Sequence, residues 1–320
     1  MATLDYLDNI TFDTLKKLMI IPVLMVLASI TIIAVNYNAG TIPLSIDFKG
    51  GTVITVYDVP EGVDLKTGLE SKFGFDVQES AIKDLSGKVA GINFEVEEFF
   101  KGDEQTEVKD YIISQGISED NINIRDISPS ITGLFIEQSI KAVLFAFLFM
   151  AVVVLWRFKT AVPSFAVILS AFSDIITTLA VMIVLKIQLS LGSFVALLLL
   201  IGYSVDTDIL LTTRLLVKRQ KRIQERIKDA MKTGLTMAGT TISAMVVLLL
   251  VATSTLLKEI AVVILIGLLI DLINTWIQNV GILWWYLERD KKGRPSKGMK
   301  MRPNVGKKRH TKRGKKVRAR

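Results

Sequence analysis

Apolar residues run through most of this chain in long stretches, and a stretch of about 18 or more can cross a bilayer as a helix. Six such stretches are legible: Leu18–Val35, Ser139–Trp156, Val162–Leu185, Leu189–Thr213, Leu235–Leu257 and Ile260–Leu287. Between the first two, over residues 36–138, the pattern changes to short alternating segments. SIDFKGGTVITVYDV predicts a strand and VDLKTGLESKFG an amphipathic helix; FDVQESAIKDL and KVAGINFEVEEF predict a strand pair turned at SGK. DEQTEVKDYIISQG predicts a second helix capped by Asp103, and NINIRDIS a last strand. The order βαββαβ is that of a ferredoxin-like split βαβ unit. Gly50-Gly51 reads as a bulge or bend, because no helix follows it as a phosphate-binding loop requires. The pattern thus predicts an α-helical polytopic membrane protein of six spans with one small α/β domain. Its parts are an amino-terminal segment 1–17, a span 18–35, the domain 36–138, five spans over 139–287 and a tail 288–320.

Charge orients this arrangement. Lys16 and Lys17 precede the first span, Arg157 and Lys159 follow the second, and RLLVKRQKRIQERIKDAMK lies between the fourth and fifth. The opposite loops carry little positive charge, so both termini are expected in the cytoplasm and the 36–138 domain outside. The first span is longer than a signal-peptide core and no cleavage site of the A-x-A kind follows it, which predicts an uncleaved anchor. The net charge of +8 arises in the tail: no acid follows Asp290, while 15 of the 39 basic residues do. Such a segment suits anionic headgroups, or phosphate backbones such as ribosomal RNA.

The candidate chemistry is carboxylate chemistry. The chain has no cysteine and one histidine, His310 in the tail, so thiolate sites, disulfides and His-based triads or metal clusters are excluded. No GxxxxGK[ST] loop is present, and nucleotide hydrolysis is not expected. What needs explaining is the stretch LLLLIGYSVDTDILLTTRLL, since an ionised aspartate at the centre of a membrane helix costs about 2.5–3.5 kcal/mol. At about 100° per residue, Asp206 and Asp208 point to different faces. Gly202, Asp206, Ile209 and Thr213 share one face; Ser204, Asp208, Leu211 and Thr212 share another. The small Gly202 admits a neighbouring helix, which assigns Asp206 to the interior and leaves Asp208 nearer water, Arg214 or a lysine. Ser170, Ser173, Asp174 and Thr177 of the third span, Thr233, Thr236, Thr240 and Ser243 of the fifth, and Asp271, Asn274 and Gln278 of the sixth supply polar groups at similar depth. Four helices are therefore expected to face one polar interior. Asp174, Asp206 and Asp271 are its ionisable members, since neutral amides would serve packing equally well and buried acids mark ion pathways.

Two stretches carry a resemblance. SIDFKGGT resembles the D-F-x-G-G-T signature of the SecF branch of the SecD/SecF protein-export family. IGYSVDTDILLTTRLLVKR resembles that family's fourth-span signature, which places it with the proton-driven resistance-nodulation-division (RND) transporters. Asp206 falls where SecD-type sequences carry their acid, as in archaeal members, and Lys232 stands where the family often has arginine. The resemblance implies an accessory subunit without nucleotide hydrolysis or cofactor, in a cell membrane and archaeal in type. It implies pairing with SecD beside the SecY channel, where proton or sodium flow assists the export of unfolded preprotein. Asp206 above all, with Asp208, Lys232, Asp174 and Asp271, would carry that ion. Two other readings stay open: half of an RND-type exporter of lipids or small molecules, and a translocon scaffold that conducts no ion.

Overall fold

The computed structural model describes residues 12–293 apart from 61, 84–87, 101 and 218–221. The basic tail beyond 293 and most of the SGK turn lie outside the described residues. Helices α1 (Phe12–Leu18) and α2 (Ile20–Ala39) follow one another almost without a break. Gly40 then ends α2 in the left-handed conformation, returning its N–H to Asn36 and Tyr37. Isoleucine and leucine side chains cover α2 on nearly every side, and Ile20, Leu24 and Leu27 stay exposed, as suits a helix bathed in lipid.

The stretch read as one strand from Ser45 onward is divided. Ile46–Lys49 forms a helical turn, α3, whose N-cap Ser45 accepts from Asp47 N at 3.3 Å. Gly50 (φ 80°, ψ 165°) and Gly51 (φ 138°) then swing the backbone into β1 (Gly51–Tyr57). A Cβ on Gly51 would lie 2.2 Å from the Val96 carbonyl oxygen, so strand and glycine must be this close. The glycine pair is thus a helix-to-strand joint and not the expected bulge.

Beyond it come α4 (Leu65–Phe73), β2 (Val77–Lys83), β3 (Val89–Val96), α5 (Asp103–Ser114) and β4 (Ile122–Ile127). The four strands form a sheet in the order β2-β3-β1-β4, antiparallel throughout, with Ile54 opposite Phe94 and Ile124. Leu65 and Leu69 of α4 and Val108 and Ile112 of α5 close its core over Ile54, Val56, Phe94 and Val96. Asp64 caps α4 by accepting from Thr67 N at 3.0 Å. Asp103, expected as a cap, is instead the first residue of α5; Gly102 holds the cap position without a side-chain bond.

The rest is helical: α6 (Pro129–Phe158), α7 (Ala161–Val184), α8 (Leu191–Val217), α9 (Ile223–Val251), α10 (Thr255–Ile273) and α11 (Val280–Gly293). Among the described residues five helical segments are long and apolar enough to cross a membrane, those of α1–α2 and of α6 to α9. The last apolar run forms α10 and α11, joined without a break by a π-helical turn, Asn274–Asn279. Helix α9 starts twelve residues before the expected span, taking in much of the basic connector. Helices α7 and α8 bury 61% and 50% of their most apolar windows, against 11% for α2, α6 and α9. The centre of the bundle is therefore α7, α8 and α10, with Val167, Ala171, Leu200, Val263 and Ile264 at its heart.

Candidate functional site: a buried carboxyl cluster

The two acids of α8 do point apart, but to the opposite sides from those expected. Asp208 is fully buried and Asp206 is exposed. The reason lies on the two faces themselves. Ser204, Asp208, Leu211 and Thr212, each fully buried, turn toward the bundle centre. Gly202 is exposed, with nothing within 4 Å of where a Cβ would stand, so no helix uses the approach it offers. Asp206 instead borders a cleft of about 270 Å³ with Tyr203 and Thr207 of α8 and Met237, Thr240 and Thr241 of α9.

Helices α7, α8 and α10 and the π-turn bring ten polar side chains together. Asp174 of α7 accepts from Ser204 Oγ at 2.5 Å and from Asn274 Nδ2 at 2.7 Å. Asp208 Oδ1 accepts from Asn279 Nδ2 at 2.6 Å and from Thr275 Oγ1 at 3.0 Å. The same Thr275 hydroxyl lies 2.9 Å from Asp271 Oδ1, so one proton serves two carboxyl groups. Ser170 lies beside Asp208, and Gln278 Nε2 donates to Ser173 Oγ at 3.3 Å. Asp271 neighbours both Asp174 and Asp208, which makes the three carboxyls one electrostatic unit. Among the described residues none of the three forms an ion pair with lysine or arginine. Their charge must be balanced by protons or by a bound cation, because like charges without counter-ions repel strongly in a low-dielectric interior.

Of the five expected site residues, the structure unites Asp174, Asp208 and Asp271 and leaves out Asp206 and Lys232. Lys232 is exposed on α9. The expected contribution of α9 to a common interior is likewise overturned. Thr236, Thr240 and Ser243 are exposed and donate to carbonyls of their own helix at 2.8 Å each, a local bond that satisfies a hydroxyl anywhere on a helix. Thr275 and Asn279, which hydrogen-bond Asp208, are the members of the cluster that the sequence did not point to. The wider π-turn, not the ordinary helical period, swings them toward Asp208, and π-turns cluster at functional sites.

A second polar assembly ties the α/β unit to the bundle. Ser45 N donates to Leu189 O at 2.9 Å and Leu189 N to Pro43 O at 2.7 Å, forming a parallel bridge between Leu44 and Leu189. Leu191 N donates to Asp47 Oδ2 at 3.4 Å, Ser190 Oγ to Glu259 Oε2 at 2.5 Å, and the rings of Phe48 and Phe194 sit 5.0 Å apart. Glu95 of β3 faces this joint, and burial, then Asp47 and Glu259, push its carboxyl above the usual carboxylate range.

Comparison with known proteins fits this geometry. The family described as "Protein export membrane protein SecD/SecF, C-terminal" matches residues 107–289. The chain belongs to the SecD/SecF family. Among similar proteins, the protein-export membrane protein SecF of Thermococcus gammatolerans is 37% identical over 273 residues, 85% of each chain. That of Methanocaldococcus jannaschii is 40% identical over 272 residues, covering 83% of this chain and 94% of its own. The crystal structure of SecDF, a translocon-associated membrane protein from Thermus thermophilus, superposes with a TM-score of 0.67 over 87% of this chain at 19% identity. This family member spans only 38% of that longer chain, and the likeness is one of fold.

Proposed function

We propose that this multi-pass membrane protein is the SecF-type subunit of a protein-export assembly. It pairs with SecD beside the SecY translocon and uses a proton or sodium gradient, without nucleotide hydrolysis or cofactor, to assist the passage of unfolded preprotein. The observation that carries this reading is the carboxyl cluster of Asp174, Asp208 and Asp271, buried in the bundle with no basic partner among the described residues. One charge moved across 100 mV supplies about 2.3 kcal/mol, enough over repeated cycles to bias a two-state arrangement of helices.

In this reading α10, the π-turn and α11 make the sixth span, both termini are cytoplasmic, and the ferredoxin-like α/β unit stands outside. The joint at Leu189 and Asp47 then links α8, which bears Asp208, directly to that unit. SecD covers the exposed strip of Tyr203, Asp206, Thr236 and Thr240, whose polar character differs from the aliphatic faces of α2 and α6. Asp206 and Lys232 then act at the boundary of the two halves rather than inside one.

The test is gradient-driven export in proteoliposomes holding this chain, SecD and the SecY complex. Asp208→Asn is expected to abolish the gradient-dependent part of export and to leave the rest. Export unchanged by both Asp208→Asn and Asp206→Asn sinks ion coupling and leaves a passive scaffold.

A further inference from the structure

Phe12, Met19, Val162, Phe165, Ile282 and Trp285 line a groove of about 690 Å³ between α1 and α2, the start of α7, and α11. Phe165 and Trp285 stay 62% and 42% exposed, so the groove opens on the outer surface of the bundle. Its mouth is cationic. Lys16 Nζ stands 4.8 Å from the centre of the Phe12 ring, and the Arg289 guanidinium 5.0 Å from that of Trp285. Both rings belong to the wall, so the two charges are drawn onto it instead of reaching out into water. Arg157 and Lys159 lie just before Ala161 and Val162, the first two residues of α7. Among the described residues none of these four cations forms an ion pair. Of the acids nearest in sequence, Glu288 accepts from Trp284 Nε1 at 3.1 Å, and Asp13 is exposed.

We propose that this groove binds one acidic phospholipid, with an acyl chain against its apolar wall and the headgroup phosphate at the mouth, met by Lys16 and Arg289. The two parts of the site select the two parts of the ligand. The wall selects a hydrocarbon chain over water or a free hydrophilic anion, since neither finds polar partners along it. The mouth selects net negative charge, because cations with no carboxylate to neutralise them gain from an anionic headgroup and little from a zwitterionic one. Depth agrees. All four cations lie at one end of the bundle with the exposed ring of Trp285 beside them, the combination that marks where helices meet the headgroup layer. The basic tail is no rival occupant, because its charge has the same sign as the mouth. The orientation proposed above supplies only the name of the leaflet, the cytoplasmic one; the site itself needs neither SecD nor ion flow.

The test places the full-length chain in phosphatidylcholine vesicles and follows tryptophan emission as a lipid brominated on its upper acyl chain is added, bromine being a contact quencher. Trp156→Phe serves as the background: it removes the other exposed indole, and Trp276 and Trp284 are buried, so quenching reports Trp285. Brominated phosphatidylglycerol is expected to quench half-maximally at a share of the bilayer about five- to thirtyfold below that of brominated phosphatidylcholine, about fivefold for each cation the headgroup meets. Lys16→Gln together with Arg289→Gln, both exposed positions, is expected to bring the two curves together without reducing the final extent of quenching. Equal curves in the background chain overturn the site. A preference that survives the double variant belongs to the basic tail and overturns it as well. Quenching by neither lipid would mean that a protein segment fills the groove, and that result also sinks the proposal.

Discussion

Gly51→Ala tests the helix-to-strand joint through two separable costs. An alanine at φ 138° is strained by about 1–3 kcal/mol, as any side chain is at sparsely populated backbone angles. Its Cβ would also stand 2.2 Å from the Val96 carbonyl oxygen and 2.9 Å from Ile46 Cδ1. The isoleucine can rotate away. The carbonyl cannot, because it belongs to the strand paired with β1 in the register Thr52 to Val96. Forcing the strands apart adds about 1–3 kcal/mol, the usual scale of overpacking. The sum, about 2–6 kcal/mol, predicts amide exchange in β1 and β3 faster by roughly thirtyfold or more. Gly50→Ala provides the comparison. It carries the same kind of backbone strain, but its closest neighbour would be the tip of the Phe99 ring at 3.0 Å, a side chain free to yield. It should therefore cost less. Exchange measured by mass spectrometry on both variants decides the matter: β1 and β3 amides within twofold of the parent in Gly51→Ala, or a larger effect in Gly50→Ala, would refute the reasoning.

Two further outcomes follow from the same contacts. Gly234→Ala places a methyl group 2.5 Å from Trp276 Cζ2, and a buried indole has little room to move. It should destabilise the chain by about 1–3 kcal/mol and alter tryptophan emission; unchanged emission would show that the π-turn adapts. The Glu95 carboxyl, raised in the folded protein from its ordinary 4.5, binds its proton more readily folded than unfolded. Its contribution is therefore fullest below the ordinary value and is lost as pH rises through the raised one. Exchange at Ser45 and Leu189, corrected for its intrinsic pH dependence, should accelerate across that interval in the parent and less in Glu95→Gln, where Glu259, raised by its own burial in the same joint, still titrates.

The sequence made the helices legible because membrane spans are written in composition, and the strands because alternation survives in a small sheet. Finer choices depended on neighbours that periodicity does not name. The helical wheel separated Asp206 from Asp208 correctly, yet which face turned inward depended on where α7 and the last span pack, and Gly202 misled. The hydroxyls of α9 satisfy themselves on their own backbone, so their stripe says nothing of an interior. Thr275 and Asn279 escaped notice because an extra residue in one turn shifts the register after Asn274. The strand expected from Ser45 broke at Gly50, where two successive positive φ angles override the β-branched run beyond.

The bridge between Leu44 and Leu189 gives the α/β unit a third attachment, besides the peptide links to α2 and α6. A body held at three points does not flap freely; it turns about the line through two of them, and the third must slip or follow. If the bridge holds, small rotations of α8 pass through the loop between α7 and α8 to the sheet. If it parts, its two hydrogen bonds and the contact of Asp47 with Leu191 are the first to release.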